Sequence, residues 1–176
     1  MKKMFYGLLF VLFSFTLSLG SLRLEIFPDF VGFILLALGM GEMAPRSGQL
    51  ARAIPFAWGM AVYTAVLYVL KMLSVPVQLD ILFWLLGAVA LAVSLWIRYR
   101  IVRGILELEE KWERSLQGEH LKMLWQFEAA LSGVCYLLNW IPMVSAIAMI
   151  AAAIVSVCFL VGFYRSWKLL ETDPLG

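Results

Sequence analysis

Six apolar runs, most of them the length of a membrane crossing, constrain this 176-residue chain more than any other feature. They cover residues 4–19, 30–43, 54–73, 79–97, 123–141 and 143–164. A bilayer's hydrocarbon core is about 30 Å thick, so a helical crossing needs roughly 20 mostly apolar residues, and six crossings use nearly the whole chain. The composition agrees, with 63% hydrophobic and 15% charged residues, against roughly half and a quarter in soluble domains. The expectation is one all-α integral membrane domain over residues 1–176, with no room for a second.

Charge sets the orientation. With the N-terminus inside, Lys2, Lys3, Arg46, Arg52, Arg98, Arg100, Arg103, Lys111, Arg114, Lys122, Arg165 and Lys168 are cytoplasmic, and only Arg23 and Lys71 lie outside. Cytoplasmic flanks of membrane helices are enriched in Lys and Arg, so twelve against two of the fourteen supports this topology. The second run is short, about 21 Å at 1.5 Å per residue, and a re-entrant segment is its rival reading. That rival inverts every later loop and strands eleven basic residues outside. The chain therefore reads as six transmembrane helices, N-in and C-in, over about 4–20, 28–45, 54–73, 78–98, 123–141 and 142–165. The short second helix extends from Pro28 towards Arg46 or thins the bilayer locally. Residues 1–20, with two lysines, an apolar stretch and Ser18-Leu19-Gly20, also fit a signal peptide, whose cleavage would leave five crossings.

Short turns at 20–29, 74–78 and 139–142 arrange the helices as three hairpins, with Pro28, Pro76 and Pro142 near the start of each second helix. Proline suits a first helical turn because its missing N–H has no intrahelical partner there. Small residues recur every fourth position in Ala57, Ala61 and Ala65, in Ala88 and Ala92, and in Ala148, Ala152 and Ser156. Such stripes let backbones approach closely in lipid. Cys135 and Cys158 would sit about 17 Å apart in depth, too far for a disulfide, so two free, buried thiols are expected.

The one long polar stretch, residues 98–122, carries Ile101, Ile105, Leu108, Trp112 and Leu116 at helical spacing. It reads as an amphipathic helix over about 100–120, lying along the cytoplasmic interface between the fourth and fifth crossings. Glu107 with Lys111 and Glu110 with Arg114 form acid-first pairs four apart. Arg98, Arg100 and Arg103 are then the membrane-surface basic residues, placed to meet anionic headgroups.

Chemistry has few footholds. His-Glu-x-x-His, Cys-x-x-Cys, Gly-x-Ser-x-Gly and phosphate-cradling Gly-Lys motifs are absent, and His120 is the single histidine. No catalytic residue, metal site or cofactor is expected. Ionisable groups at the apolar boundary are the candidates, because they cost energy in lipid and usually face a bundle interior. Asp29, Glu42, Asp80 and Glu128 qualify. Asp29 suits capping of a helix start. Glu42 would pair with Arg46 four residues on. Glu128, about one turn into the fifth crossing, would need a partner such as Arg46 or Arg98 from a neighbouring helix.

The stretch from Leu24 to Leu35, Leu-Glu-Ile-Phe-Pro-Asp-Phe-Val-Gly-Phe-Ile-Leu, resembles a motif in small, uncharacterised multispan membrane proteins of Gram-positive bacteria. In that family Pro-Asp-Phe, a branched apolar residue, Gly and an aromatic open the second helix. The resemblance covers about a dozen residues; it implies a bacterial plasma membrane and marks Pro28, Asp29 and Gly32, but carries no activity with it. The length and topology also look like the substrate-binding subunits of energy-coupling-factor vitamin transporters. Those carry Ala-x-x-x-Ala in the first helix, whereas residues 4–19 here contain no alanine and the stripe falls in the third run.

Two functional expectations follow. The first is a non-enzymatic assembly or accessory module whose partners are the bilayer, anionic headgroups and either further copies of itself or another membrane protein, with no nucleic acid. The second is a small transporter, or a substrate-binding subunit of one, using Asp29, Glu42 or Glu128 around a central cavity.

Overall fold

The computed structural model describes residues 1–17, 29–72, 80–113, 115–137 and 142–171. Those residues form an all-helical fold of six helices: α1 (Lys2–Leu17), α2 (Asp29–Met43), α3 (Gly48–Met72), α4 (Asp80–Trp112), α5 (Gly118–Leu137) and α6 (Pro142–Glu171). Each helix packs against its neighbours in sequence, and α6 returns to α1 to close a ring. The expected pairing into three hairpins is too local, since α2 packs on α3 as extensively as on α1.

Short connections make neighbours antiparallel, so the ring has two unlike ends. The start of α1, α3 and α5 and the finish of α2, α4 and α6 share one end, and the core sits there. Met4, Leu8, Leu36, Met40, Leu50, Ile101, Ile105, Leu121, Phe159 and Phe163 are all buried. Towards the other end Val62, Val66, Val69, Leu85, Val89, Leu137, Met143 and Ile147 stand exposed. Among the described residues three helices are long and apolar enough to cross a membrane, over Gly48–Leu70, Leu85–Trp112 and Ala146–Leu169.

The expected interfacial helix over about 100–120 does not exist as a separate element. Residues 101–112 continue α4, which at 33 residues is about 50 Å long, and residue 118 already opens α5. Ile101, Ile105, Leu108 and Leu116 face the protein core, not a membrane surface. A periodic apolar stripe reports that one face is buried, without saying whether lipid or protein buries it. Nothing between Ile97 and Trp112 breaks the helix. Gly104 is needed there for close contact, because a Cβ on it would lie 2.7 Å from the Leu50 side chain. The helix ends in a turn with Glu113 at φ 48° and Gln117 at φ 61°, left-handed values that cost a side-chain-bearing residue energy.

Helix α3 begins at Gly48, ahead of the expected start near residue 54, and carries Pro55 inside it on an exposed face. Its early start rests on a cap from α4 described below. Helices α1 and α2 approach most closely through glycines. A Cβ on Gly7 would meet the Leu36 backbone nitrogen at 2.7 Å, and one on Gly39 the Met4 nitrogen at 2.6 Å. Among the alanine stripes, Ala57, Ala61 and Ala148 are buried whereas Ala92 is exposed. Both cysteines are free, as expected, but not both buried: Cys135 is half-buried and Cys158 lies on the outward face of α6.

Candidate functional site

Arg98 and Glu128 are the charged side chains buried in this bundle among the described residues. Their side chains are 5% and 1% exposed. The sequence places Ser94 one turn before Arg98 on α4 and Ser132 one turn after Glu128 on α5, so each charge shares a face with a buried hydroxyl. The small-residue stripe of α6 brings Ser156 against the same point. Glu128 Oε1 accepts from Arg98 Nη1 and, at 3.0 Å, from the Ser156 hydroxyl. Arg98 Nη2 donates to the Ser94 hydroxyl at 3.3 Å. Three helices, α4, α5 and α6, are thereby joined at one polar node.

Beside the node, the Trp125 indole N–H donates to the Leu95 carbonyl at 3.0 Å and its ring lies 4.9 Å from that of Tyr99. Glu128 Oε2 and Arg98 Nε, both buried, have no protein partner. A buried ion pair must repay a desolvation cost of several kcal/mol per ion, so its partners are held together and removing either is expensive. Chemically the node is a fixed donor and acceptor set with one spare donor and one spare acceptor. Neither a thiol nor a histidine is part of it.

A second set of polar bonds lies at the end of α4. The Glu107 carboxylate accepts from the Ser47 hydroxyl at 2.6 Å and from the amides of Gly48 and Gln49 at 3.4 and 3.3 Å, capping the start of α3. Glu109 accepts from the amides of Leu116 and Gly118, each at 3.0 Å, and caps α5. The first helical amides lack intrahelical partners, and here carboxylates from a neighbouring helix supply them. Lys111 reaches Glu107 at 3.0 Å, the i,i+4 pair read from the sequence, and also the Arg46 carbonyl at 2.9 Å. Arg114 of the other expected pair lies outside the described residues.

The remaining sequence candidates scatter. Pro28 lies outside the described residues, and Asp29 is the exposed first residue of α2, where an acid complements the helix dipole. Gly32 is buried at the α1–α2 contact, where a Cβ would come within 2.7 Å of Val11. Glu42 pairs with Lys3 of α1 at 2.5 Å, not with Arg46, because α1 runs alongside while Arg46 sits past the helix end in the turn. Of Asp80, the described feature is its place at the start of α4.

The basic trio also divides. Arg98 turns inward to Glu128 and so is no headgroup contact, correcting the surface role expected of it. Arg100 is half-buried, bonded to Gln49 and laid over the Trp96 ring at 4.7 Å; only Arg103 is fully exposed. His120 is exposed, on a shallow depression with Glu119, Lys122, Met123 and Gln126. A second depression, lined by Val62, Ala65, Val66, Val69 and Leu70, is apolar, and neither includes Asp29, Glu42 or Glu128. Among the described residues no three His, Cys, Asp or Glu side chains cluster as a metal site.

No protein family, curated protein or solved structure matches this chain.

Proposed function

We propose that this chain is a multipass protein of the bacterial plasma membrane, with six crossings and both termini cytoplasmic, acting as a non-enzymatic assembly or accessory module. The observation that carries this reading is the use made of its buried charge. Arg98 and Glu128 bond α4, α5 and α6 together, and Glu107 and Glu109 cap helices. Ionisable groups in a membrane bundle that serve a transport path line an aqueous cavity; these are spent on helix contacts. The six-crossing topology draws support from the antiparallel ring and the basic end it creates, where Lys3, Arg46, Arg52, Arg103 and Lys168 are exposed.

A second reading, a small transporter or transport subunit, is favoured by one observation: Glu128 Oε2 and Arg98 Nε retain unmet hydrogen-bonding capacity inside the bundle. Purification of the tagged protein from native membranes in mild detergent separates the two. A stoichiometric membrane partner or a defined homo-oligomer supports assembly, a copurifying ATPase module or bound small molecule supports transport, and a bare monomer refutes the assembly reading. Cysteine accessibility at positions 23, 52, 71, 110 and 167 tests the topology, and external labelling at 110 overturns it.

A further inference from the structure

Helices α3 and α4 run antiparallel along a groove whose register their contacts fix. Glu107 of α4 caps α3 at Gly48 and Gln49, Gly104 admits Leu50, and the Trp96 ring lies 4.4 Å from that of Phe56. Each step along α3 is thus matched by a step back along α4, which sets Arg52 level with Arg103 and Val66 level with Val89. The two arginines also flank the same groove. Arg52 lies between Gln49 and Phe56 at steps of three and four, and Arg103 lies between Arg100 and Glu107 at the same steps. The neighbours on either side of each arginine touch the opposite helix: Gln49 accepts from Arg100, Phe56 meets Trp96, and Glu107 accepts from Ser47.

Three guanidiniums therefore gather at one place, and none is neutralised. Arg52 and Arg103 are exposed and Arg100 is half-buried; among the described residues none of the three pairs with a carboxylate. Arg100 bonds the neutral amide of Gln49 and lies over the Trp96 ring, with its Nε buried and unpartnered. Glu107, the carboxylate nearest to Arg103 along α4, is committed to Lys111, Ser47 and the α3 amides. Packed helices lie roughly 8–10 Å apart, so two arginine side chains at one level can close on a single phosphate from both sides, and their planar forks match its oxygens.

Away from the basic end the groove turns apolar. Phe56 is exposed beside Trp96, Gly59 follows on the same face with nothing within 4 Å of the place a Cβ would take, and Val66 and Val89 stand exposed further on. Cations, then rings, then apolar surface is the order of environments that a phospholipid meets from phosphate to acyl chain. A soluble phosphate would use only the first of these. Resting on the membrane reading above, we infer that the α3–α4 groove binds an anionic phospholipid, its phosphate held between Arg52 and Arg103 with Arg100 on the groove floor, and an acyl chain laid over Phe56 and on between Val66 and Val89.

Native mass spectrometry of the full chain, titrated with phosphatidylglycerol or phosphatidylcholine, tests this. Phosphatidylglycerol is expected to bind preferentially, and equal binding of the two overturns the site. A basic residue at an anionic surface is worth roughly fivefold in affinity, so the preference should fall about thirtyfold in Arg52→Gln/Arg103→Gln. Neither side chain makes a protein bond among the described residues, so this double variant is expected to fold. The preference should be kept in Lys122→Gln/Arg165→Gln, which removes the same charge from α5 and α6. Equal loss in both double variants, or no loss in the first, overturns the site. Gly59→Leu, which fills open space in the groove, should weaken phosphatidylglycerol binding; unchanged binding overturns the acyl-chain path. Displacement of the lipid by millimolar inorganic phosphate overturns the lipid assignment. Alkaline carbonate extraction of native membranes separates the two levels. Release of the chain refutes the membrane reading itself, whereas retention without lipid preference refutes only the groove site.

Discussion

Replacing Glu128 with Leu should be among the most damaging single changes available in this protein, and a second substitution should undo it. The Glu128 side chain is 1% exposed and accepts from both Arg98 and Ser156. Without it the Arg98 guanidinium, itself 5% exposed, keeps only the Ser94 hydroxyl. Stranding a buried charge in this way costs about 3–5 kcal/mol, at least a fifth of the roughly 5–15 kcal/mol that holds a typical domain folded. Arg98→Met strands the carboxylate at comparable cost. If the two acted independently, the double variant would lose about 6–10 kcal/mol. If they form one unit, Arg98→Met/Glu128→Leu places apolar groups of similar size in an apolar bundle and is less destabilised than either single variant, because an ion pair replaced by hydrophobic side chains is often neutral. Denaturant titration in mixed micelles, followed by the fluorescence of neighbouring Trp125, measures all four corners of the cycle. Additive losses, or a Glu128→Leu cost below about 1 kcal/mol, would refute the claim that this node is a committed structural bond.

Three further outcomes are expected. Gly39→Ala places a Cβ 2.5 Å from Met4 Cγ and 2.6 Å from its backbone nitrogen and should destabilise by about 1–3 kcal/mol. Gly41→Ala, two residues away in open space, should instead be neutral or stabilise by up to about 1 kcal/mol, so only the Gly39→Ala melting temperature falls. Glu107→Ala removes the cap on α3 at a cost of about 1–2 kcal/mol, and hydrogen exchange should speed up first at the amides of residues 48–51; uniform acceleration along α3 would contradict a local cap. Glu113→Gly relieves a left-handed backbone at φ 48° and should raise stability by about 1 kcal/mol, with no change in the pattern of exchange.

The helical class and the approximate places of the helices could be read from the sequence because lipid and protein interiors both demand apolar runs with satisfied backbones. Proline 142 opening α6 and Asp29 opening α2 were legible for the same reason: their backbone chemistry is local. What each face meets is not local. The stripe Ile101, Ile105, Leu108 looks the same whether it rests on lipid or lies in one protein core with Leu50 and Leu121. Pairings between helices are equally hidden, so Glu42 looked to Arg46 on its own side of the turn when Lys3 of α1 was nearer. Glu128 could be given Arg98 only as one of two partners. A signal for the choice was present, since Ser94 four residues before Arg98 marks a polar face on an otherwise apolar helix. Gly7, Gly32 and Gly39 also announced the tight α1–α2 contact more clearly than the alanine stripes did, because only glycine removes the Cβ outright.

Helix α4 explains why the packed end of the ring is the basic end. In lipid, burying apolar surface between helices gains little, so hydrogen bonds and close packing must fix their positions. Along one helix, Arg98 reaches α5, Arg100 reaches Gln49 of α3, Gly104 admits Leu50, Glu107 caps α3 and Glu109 caps α5. Every one of these lies in the last half of α4. The opposite half contributes Leu85 and Val89 to an exposed apolar surface. Under the proposed assembly role, the bonds at one end would set helix order, and the exposed apolar side chains at the other would be left open to lipid or to another membrane protein. The transport reading would need polar groups along the first half of α4 as well. The positions where α4 would have to supply them, Leu85 to Val93, hold only Leu, Gly, Ala and Val.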